Sequence, residues 1–176
     1  VPGYWLGAWA WDDVVPALKE QGLDVEAITP SGLDEQDPNR KNTTLQDQVD
    51  ALQALVEQAG GDVVLVGHSG ANAAVSTVTD RTPQLLRRVI WVDSGPMPDG
   101  GAFAPELPQD IEELPLPDFD TLGQQASLEG LSDGQLKTFR ARAVPEPAGV
   151  ARATVSLTND RRHSVPTVSY THLRAH

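Results

Sequence analysis

The chain has 176 residues, of which 39% are hydrophobic and none is cysteine, and it carries a formal net charge of −12. This length and composition indicate one domain with a sizeable core, and the lack of cysteine excludes a disulfide framework and thiolate metal sites. The acidic balance argues against nucleic acid or an anionic membrane surface as a partner, and no apolar run is long enough to cross a bilayer. A small neutral molecule is the expected ligand.

The N-terminal part of the chain predicts two helices and two strands. A Val-Pro pair at residues 1–2 is typical of the end of a strand that leads into a glycine-containing turn. Apolar residues recur at helical spacing over residues 12–21, and residues 23–29 alternate apolar and polar side chains, which is the period of a strand. After a polar loop, Thr44 is predicted to cap a second helix that ends at Gly60.

The central part of the chain predicts two further strands with a helix between them. Residues 63–66 form a continuous apolar run, as expected of a strand buried on both faces of a parallel sheet. Residues 69–79 are small and alanine-rich, which predicts a helix packed closely on that sheet, and residues 87–93 predict another buried strand. This alternation indicates an α/β fold with a mostly parallel sheet flanked by helices.

After residue 93 the chain becomes rich in proline, glycine and acidic residues. Weak helical patterns occur there at residues 118–127, 132–143 and 147–157. The apolar content of residues 94–165 is too low for a separate core, so we expect a helical cap over the carboxyl edge of the sheet. The predicted division is a core at residues 1–93, this cap, and the start of a further strand within residues 166–176.

The segment Gly-His-Ser-Gly-Ala at residues 67–71 stands between a predicted strand and a predicted helix. A serine in that place lies on a tight turn that requires very small residues two positions before and two positions after it, and Gly67 and Ala71 meet this requirement. The turn raises the Ser69 hydroxyl above the sheet, with a helix N-terminus behind it and the Gly70 amide directed at a developing oxyanion. Ser69 is therefore a candidate nucleophile.

Three segments together carry a resemblance to a known family: PGYWLGAWAW at residues 2–11, GHSGA at residues 67–71 and VDSGP at residues 92–96. In these segments the chain resembles the α/β-hydrolase superfamily, and within it the esterase and hydroxynitrile-lyase-like group. The resemblance covers most of residues 1–100 and becomes vague in the cap. It implies an α/β-hydrolase fold, incomplete at its C-terminal strands, and an enzyme that uses no cofactor and no metal.

The resemblance also implies roles for single residues. Ser69 corresponds to the nucleophile, the Gly70 amide to one oxyanion donor, and the Tyr4 amide, in the loop after the first strand, to the other. Two departures from the family pattern are mild. Ala71 stands where the motif ends in glycine, and a Pro-Gly pair at residues 2–3 replaces the His-Gly that often opens the oxyanion loop, which leaves the backbone donor intact.

Three neighbouring residues are further candidates, each with an alternative. Trp5 is expected to line the mouth of the substrate pocket, although packing of its loop against the first helix explains a tryptophan there equally well. His68 adjoins the nucleophile and is a candidate substrate contact, but its side chain is expected to point away from the reacting face. Asp93 ends a strand beside the turn and is a candidate triad acid; the alternative is a structural aspartate that holds the loop.

A serine nucleophile needs a base, and the histidines of the chain are poorly placed to supply one. In the family that the chain resembles, the histidine lies in a loop after the last strand, and His163 comes too early for that loop. His172 and His176 belong to VSYTHLRAH at residues 168–176, which resembles a translated adapter from a sequencing library. The alternative is a genuine strand and loop that carry the base.

On the adapter interpretation the base lies outside this chain, and the chain itself is expected to have negligible turnover, because loss of a triad leaves only weak residual catalysis. The predicted function of the parent protein is hydrolysis of a small ester or related carbonyl compound through an acyl-enzyme on Ser69. A lyase that uses the same triad and a non-catalytic ligand-binding module of the same fold are the alternatives. The expected location is the cytoplasm.

Overall fold

A parallel sheet of three strands lies at the centre of residues 1–170, the part of the chain that the computed structural model describes. The strands of this part are β1 (Val63–His68), β2 (Leu86–Val92), β3 (Glu113–Leu114), β4 (Glu146–Pro147) and β5 (Thr167–Tyr170). The central sheet has the order β1-β2-β5 with both pairs parallel, whereas β3 and β4 form a separate antiparallel ladder. The predicted parallel sheet is therefore confirmed.

Helices accompany the strands as the helical periodicity of the sequence predicts. In the described residues they are α1 (Val14–Glu20), α2 (Leu45–Ala59), α3 (Asn72–Arg81), α4 (Phe119–Gln125), α5 (Asp133–Arg142) and α6 (Ala148–Arg152). The predicted cap of α2 is confirmed: the Thr44 hydroxyl accepts the Asp47 N–H, and the Asp47 carboxylate accepts the Thr44 N–H at 2.8 Å. The helix ends at Gly60, whose φ of 79° is left-handed.

The core forms where α3 packs on the sheet. Val75 and Val78 of α3 and Val89 of β2 are fully buried, and Trp91 of β2 is 1% exposed. Gly67 of β1 permits this packing, because a Cβ there would lie 3.1 Å from a Val75 methyl carbon and 3.3 Å from the Trp91 ring. The small residues of α3 thus bring its N-terminus close to the end of β1.

Two predicted elements differ from the structure. Residues 23–29 are not a strand, because a strand needs ladder bonds to a neighbour and, within the described chain, the backbone of residues 24–29 makes none. The helix predicted for residues 147–157 ends at Arg152. Beyond it, Val155 exchanges backbone hydrogen bonds with residues 100–101 instead, and its side chain alternates with exposed neighbours in the period of extended chain.

The predicted strand end at the start of the chain runs beside β1. The Val1 nitrogen donates to the Val66 carbonyl at 2.7 Å, and the His68 N–H donates to the Val1 carbonyl at 3.1 Å. This pairing places the loop that follows Pro2 directly beside the residues that follow His68.

The buried carboxylate of Asp80, in the last turn of α3, fixes where β5 begins. It accepts the Asn159 N–H at 2.9 Å and an Arg162 N–H at 3.2 Å, and the Asn159 amide donates to the Asp80 carbonyl at 2.8 Å. Asp80 is 6% exposed, so these bonds replace water around a charge that is costly to bury alone.

Replacement of Asp80 by alanine is expected to lower the free energy of unfolding by roughly 2 to 4 kcal/mol, because it leaves a partly buried guanidinium and a partly buried N–H without their acceptor. Asp160→Ala is the matched control, since that exposed carboxylate lies 4.0 Å from the same guanidinium. Urea unfolding of both variants measures the difference. An equal loss in the two variants would contradict the account.

Candidate active site

Ser69, the predicted nucleophile, follows the last residue of β1 and stands exposed on a strained turn. Its φ is 48°, in the left-handed region that residues with a side chain rarely adopt. Residues 69–71 form one turn of 3-10 helix that continues into α3. Serine on a sharp strand-to-helix turn of this kind presents its hydroxyl above the carboxyl edge of a parallel sheet.

The oxyanion loop, residues 2–5, lies directly against this turn. A Cβ on Gly3 would lie 2.8 Å from the Cβ of Ser69, and a Cβ on Gly70 would lie 2.7 Å from the ring of Tyr4. Both distances are too short for real atoms, so only glycine at these two positions allows the loop and the turn to approach this closely. The predicted oxyanion residues Tyr4 and Gly70 are thereby brought together beside Ser69.

The backbone N–H groups of Tyr4 and Gly70 donate to no acceptor within residues 1–170. Gly70 stands in the first turn of a helix, where N–H groups have no intrahelical partner. Unpaired backbone donors beside a serine hydroxyl are what an oxyanion hole requires.

His68 is turned towards the oxyanion loop. Its Nδ1 accepts the Gly3 N–H at 3.2 Å, and its ring meets the Trp11 ring edge to face at 6.3 Å. Burial lowers the pKa of His68, and the nearby Asp93 carboxylate opposes this shift. The ring is therefore a neutral acceptor that holds the loop; its predicted role as a substrate contact stays a prediction.

Asp93, the candidate acid, lies one strand away from the nucleophile. The β1–β2 register pairs His68 with Val92, which places Asp93 level with Ser69 at the same edge of the sheet. Asp93 is exposed and also has a left-handed φ, of 46°. The next residue, Ser94, donates its hydroxyl to the Ser69 carbonyl at 2.8 Å. This bond ties the two loops together, and the role of Asp93 as triad acid stays a prediction.

Trp5 is half-buried and makes specific contacts with the β3–β4 ladder. Its indole N–H donates to the Leu114 carbonyl at 2.9 Å, and its backbone carbonyl accepts the Val144 N–H at 3.0 Å. Its φ is 67°, which is strained for an aromatic residue. These contacts are with Leu114 and Val144, whereas the packing alternative from the sequence placed Trp5 against the first helix. A role at the pocket mouth stays a prediction.

No histidine of residues 1–170 is bonded to the Ser69 hydroxyl. His163 precedes β5, and because β5 is parallel to β1 it lies at the opposite edge of the sheet from Ser69. The length of β1, at about 3.3 Å per residue, separates those edges by about 20 Å. His172 and His176 lie outside the described residues.

The described part contains no group of three or more metal-ligating side chains and no helix that is long and apolar enough to span a membrane.

Glu146, in β4, is a site residue that the sequence analysis did not identify. It is fully buried, accepts the Trp5 N–H at 3.4 Å and the Gln48 amide at 3.2 Å, and borders a cavity together with Tyr4 and Gly70. Burial raises the pKa of Glu146 to about 7, against the opposing effect of these two hydrogen bonds. A single acidic residue between two prolines in an otherwise apolar segment was the available sequence indication.

The raised pKa of Glu146 has a defined effect on stability. The folded protein binds this proton more tightly than the unfolded chain, so the contribution of Glu146 to the free energy of unfolding falls as pH rises from about 4.5 through about 7. Glu146→Gln is expected to remove that fall, which amounts to roughly 3 kcal/mol between the two limits. Urea unfolding of wild type and variant from pH 4 to pH 8 measures it, and parallel curves would contradict the assignment.

Comparisons with known proteins agree with this geometry. A family model described as the alpha/beta hydrolase family matches residues 1–174. A carbendazim hydrolyzing esterase from Nocardioides sp. (strain SG-4G) is 31% identical over 108 residues, which are 60% of this chain and 41% of the esterase. The chain therefore spans less than half the length of that relative.

Solved structures show the same fold at low sequence identity. An extracellular alpha/beta-hydrolase from a Paenibacillus species superposes with a TM-score of 0.79 at 22% identity, over 96% of this chain and 74% of the other. A methylesterase from Arabidopsis gives a TM-score of 0.78 at 16% identity over the same shares. Because the family model matches nearly the whole chain, this chain belongs to the alpha/beta hydrolase family.

Proposed function

We propose that the full-length protein hydrolyses a small carboxylic ester through an acyl-enzyme on Ser69. One observation carries the proposal: the strained, exposed Ser69 stands at the carboxyl edge of the sheet, in contact with a loop that brings the Tyr4 N–H beside that of Gly70, both without an acceptor in residues 1–170. Backbone strain of this kind is concentrated at functional sites, where the surrounding structure maintains it. The esterase name of the relative supports the reaction class.

The proposed reaction has two halves. In the first, the Ser69 hydroxyl attacks the ester carbonyl carbon and passes its proton to a base, while the Tyr4 and Gly70 N–H groups stabilise the oxyanion. The C–O bond to the alcohol then breaks, and the alcohol leaves with the proton from the base. In the second half a water molecule, deprotonated by the same base, attacks the acyl carbon. The bond from that carbon to the Ser69 oxygen then breaks, the base returns its proton to Ser69, and the acid leaves.

The base of this mechanism is proposed to be a histidine that follows residue 167 in the full-length protein. His68 is engaged with Gly3, and His163 lies at the other edge of the sheet, so neither reaches the Ser69 hydroxyl. On the interpretation of residues 168–176 as adapter sequence, residues 1–167 supply the nucleophile and the oxyanion donors, and the base comes from the part of the protein that follows them.

Apolar groups near the oxyanion loop support an apolar substrate of small or medium size. Phe103, from the segment predicted to be a cap, is 55% exposed, and its ring meets the Tyr4 ring at 4.8 Å. Trp5 continues this surface, with its ring 6.1 Å from that of Tyr4. An acyl group or alcohol placed beside Ser69 would cover these rings and gain stabilisation from their removal from water.

Reaction of the full-length protein with a fluorophosphonate probe tests the role of Ser69. The expected result is a single adduct on the tryptic peptide that contains Ser69, and a loss of ester turnover by a factor on the order of 10⁴ or more in Ser69→Ala. Ser127→Ala, at an exposed serine remote in sequence, is the control and is expected to label and turn over as wild type.

An unlabelled wild-type protein would instead support the non-catalytic binding module. Labelling combined with cleavage of a cyanohydrin and no ester turnover would support the lyase. Retention of ester turnover in Ser69→Ala would remove Ser69 from the mechanism.

A further inference from the structure

Two side-chain acceptors hold the oxyanion loop, one on each side of its free N–H. The Gly3 N–H donates to His68 Nδ1 at 3.2 Å, and the Trp5 N–H donates to a Glu146 carboxylate oxygen at 3.4 Å. The peptide between them carries the Tyr4 N–H, which has no acceptor in the described part of the chain. The orientation of that N–H is thus set by the two flanking peptides.

The hydrogen bond from the Trp5 N–H to Glu146 holds a strained backbone conformation in place. Trp5 has a φ of 67°, and rotation of the Tyr4–Trp5 peptide would relieve this conformation. Such a rotation would also turn the Trp5 N–H away from Glu146 and move the Tyr4 backbone. The hydrogen bond to Glu146, together with the bonds of Trp5 to Leu114 and Val144, opposes it.

The surroundings of Glu146 indicate that this residue serves as the acceptor for the Trp5 N–H, and that packing alone does not explain it. The residue is 0% exposed, and within residues 1–170 no cation forms an ion pair with it. Arg40, which bonds the neighbouring Pro145 carbonyl, pairs with Glu113 instead. Apart from Trp5, the only donor to Glu146 in that part is the amide of Gln48, which is itself held by the Ser31 carbonyl at 3.0 Å.

A buried carboxylate without a cation is costly, and an apolar side chain of similar volume would stabilise the fold at least as well. The group also lies beside the Tyr4 ring, whose buried hydroxyl has no partner in the described residues and whose pKa is raised by burial and by Glu146. Stability therefore does not explain the acid, whereas an acceptor for the Trp5 N–H does.

We propose that Glu146 is a positioning residue of the active site, which holds the Trp5 peptide in its strained conformation and thereby keeps the Tyr4 N–H directed at the oxyanion. The inference rests on the proposed function, and it adds a residue distant in sequence that acts through the loop without contact to the substrate. It links β4, within the segment predicted to be a cap, to the chemistry at Ser69.

Steady-state hydrolysis of p-nitrophenyl acetate by the full-length protein tests the proposal. Glu146→Leu is expected to lower kcat roughly 10- to 100-fold with little change in KM, because a displaced oxyanion donor affects the transition state more than substrate binding. Glu146→Gln retains an acceptor oxygen for the Trp5 N–H if Gln48 turns its amide, and is expected to stay within about 3-fold of wild type. Glu146→Asp shortens the side chain by one methylene, which moves the acceptor oxygen away from the Trp5 N–H. Its kcat is expected to lie between those of the leucine and glutamine variants.

Glu112→Leu is the matched control, because Glu112 directly precedes β3 and, among the residues that the structure describes, its exposed carboxylate contacts only Lys41. Its kcat is expected to equal that of wild type. Glu146→Asp replaces the leucine variant in the comparison if the latter does not fold, as judged by its melting curve.

The outcomes separate the two proposals. An active wild type with kcat unchanged in the leucine and aspartate variants, or with kcat lost equally in the glutamine variant, overturns the role of Glu146 alone. A wild type that neither turns over the ester nor reacts with a fluorophosphonate overturns the proposed function and this inference with it.

Discussion

The close approach of two backbone segments determines the rest of the site. The oxyanion loop and the turn at Ser69 touch at Gly3 and Gly70, and a single Cβ at either position would collide with Ser69 or with the Tyr4 ring. This contact brings together two backbone N–H groups, those of Tyr4 and Gly70, that have no acceptor within residues 1–170. Contacts from His68, Glu146 and Ser94 hold these two strained segments in place.

The strain is visible in the backbone and is distributed over three loops. Of the residues other than glycine with a left-handed φ in the described chain, Trp5, Ser69 and Asp93 all follow strands or strand ends at one edge of the sheet. Trp5 is held by the β3–β4 ladder and Ser69 by the Ser94 hydroxyl. The Asp93 N–H donates to the Tyr170 carbonyl at 2.6 Å, within the segment interpreted as adapter sequence. The fold below, with α3 packed on Gly67, supplies a rigid base for these loops.

Local sequence patterns located the central strands, the nucleophile turn and the cap of α2, because apolar period, small residues and capping side chains act within a few positions of the chain. The strand that they predicted at residues 23–29 is absent. An alternating pattern indicated a strand there, but a strand also requires ladder bonds to a neighbour, and residues 24–29 make none within the described chain. The local patterns also missed Glu146, whose role depends on Trp5 and Gln48, far away in sequence. Contacts between residues so far apart in sequence produce no periodic pattern, so only the folded structure reveals them.

The most direct test is a crystal structure of the full-length protein after reaction with diethyl p-nitrophenyl phosphate, whose phosphoryl oxygen imitates the oxyanion. The expected structure has phosphorus bonded to the Ser69 hydroxyl oxygen and a phosphoryl oxygen within about 3 Å of both the Tyr4 and the Gly70 nitrogens. An adduct on another residue, or a phosphoryl oxygen that faces neither N–H, would contradict it.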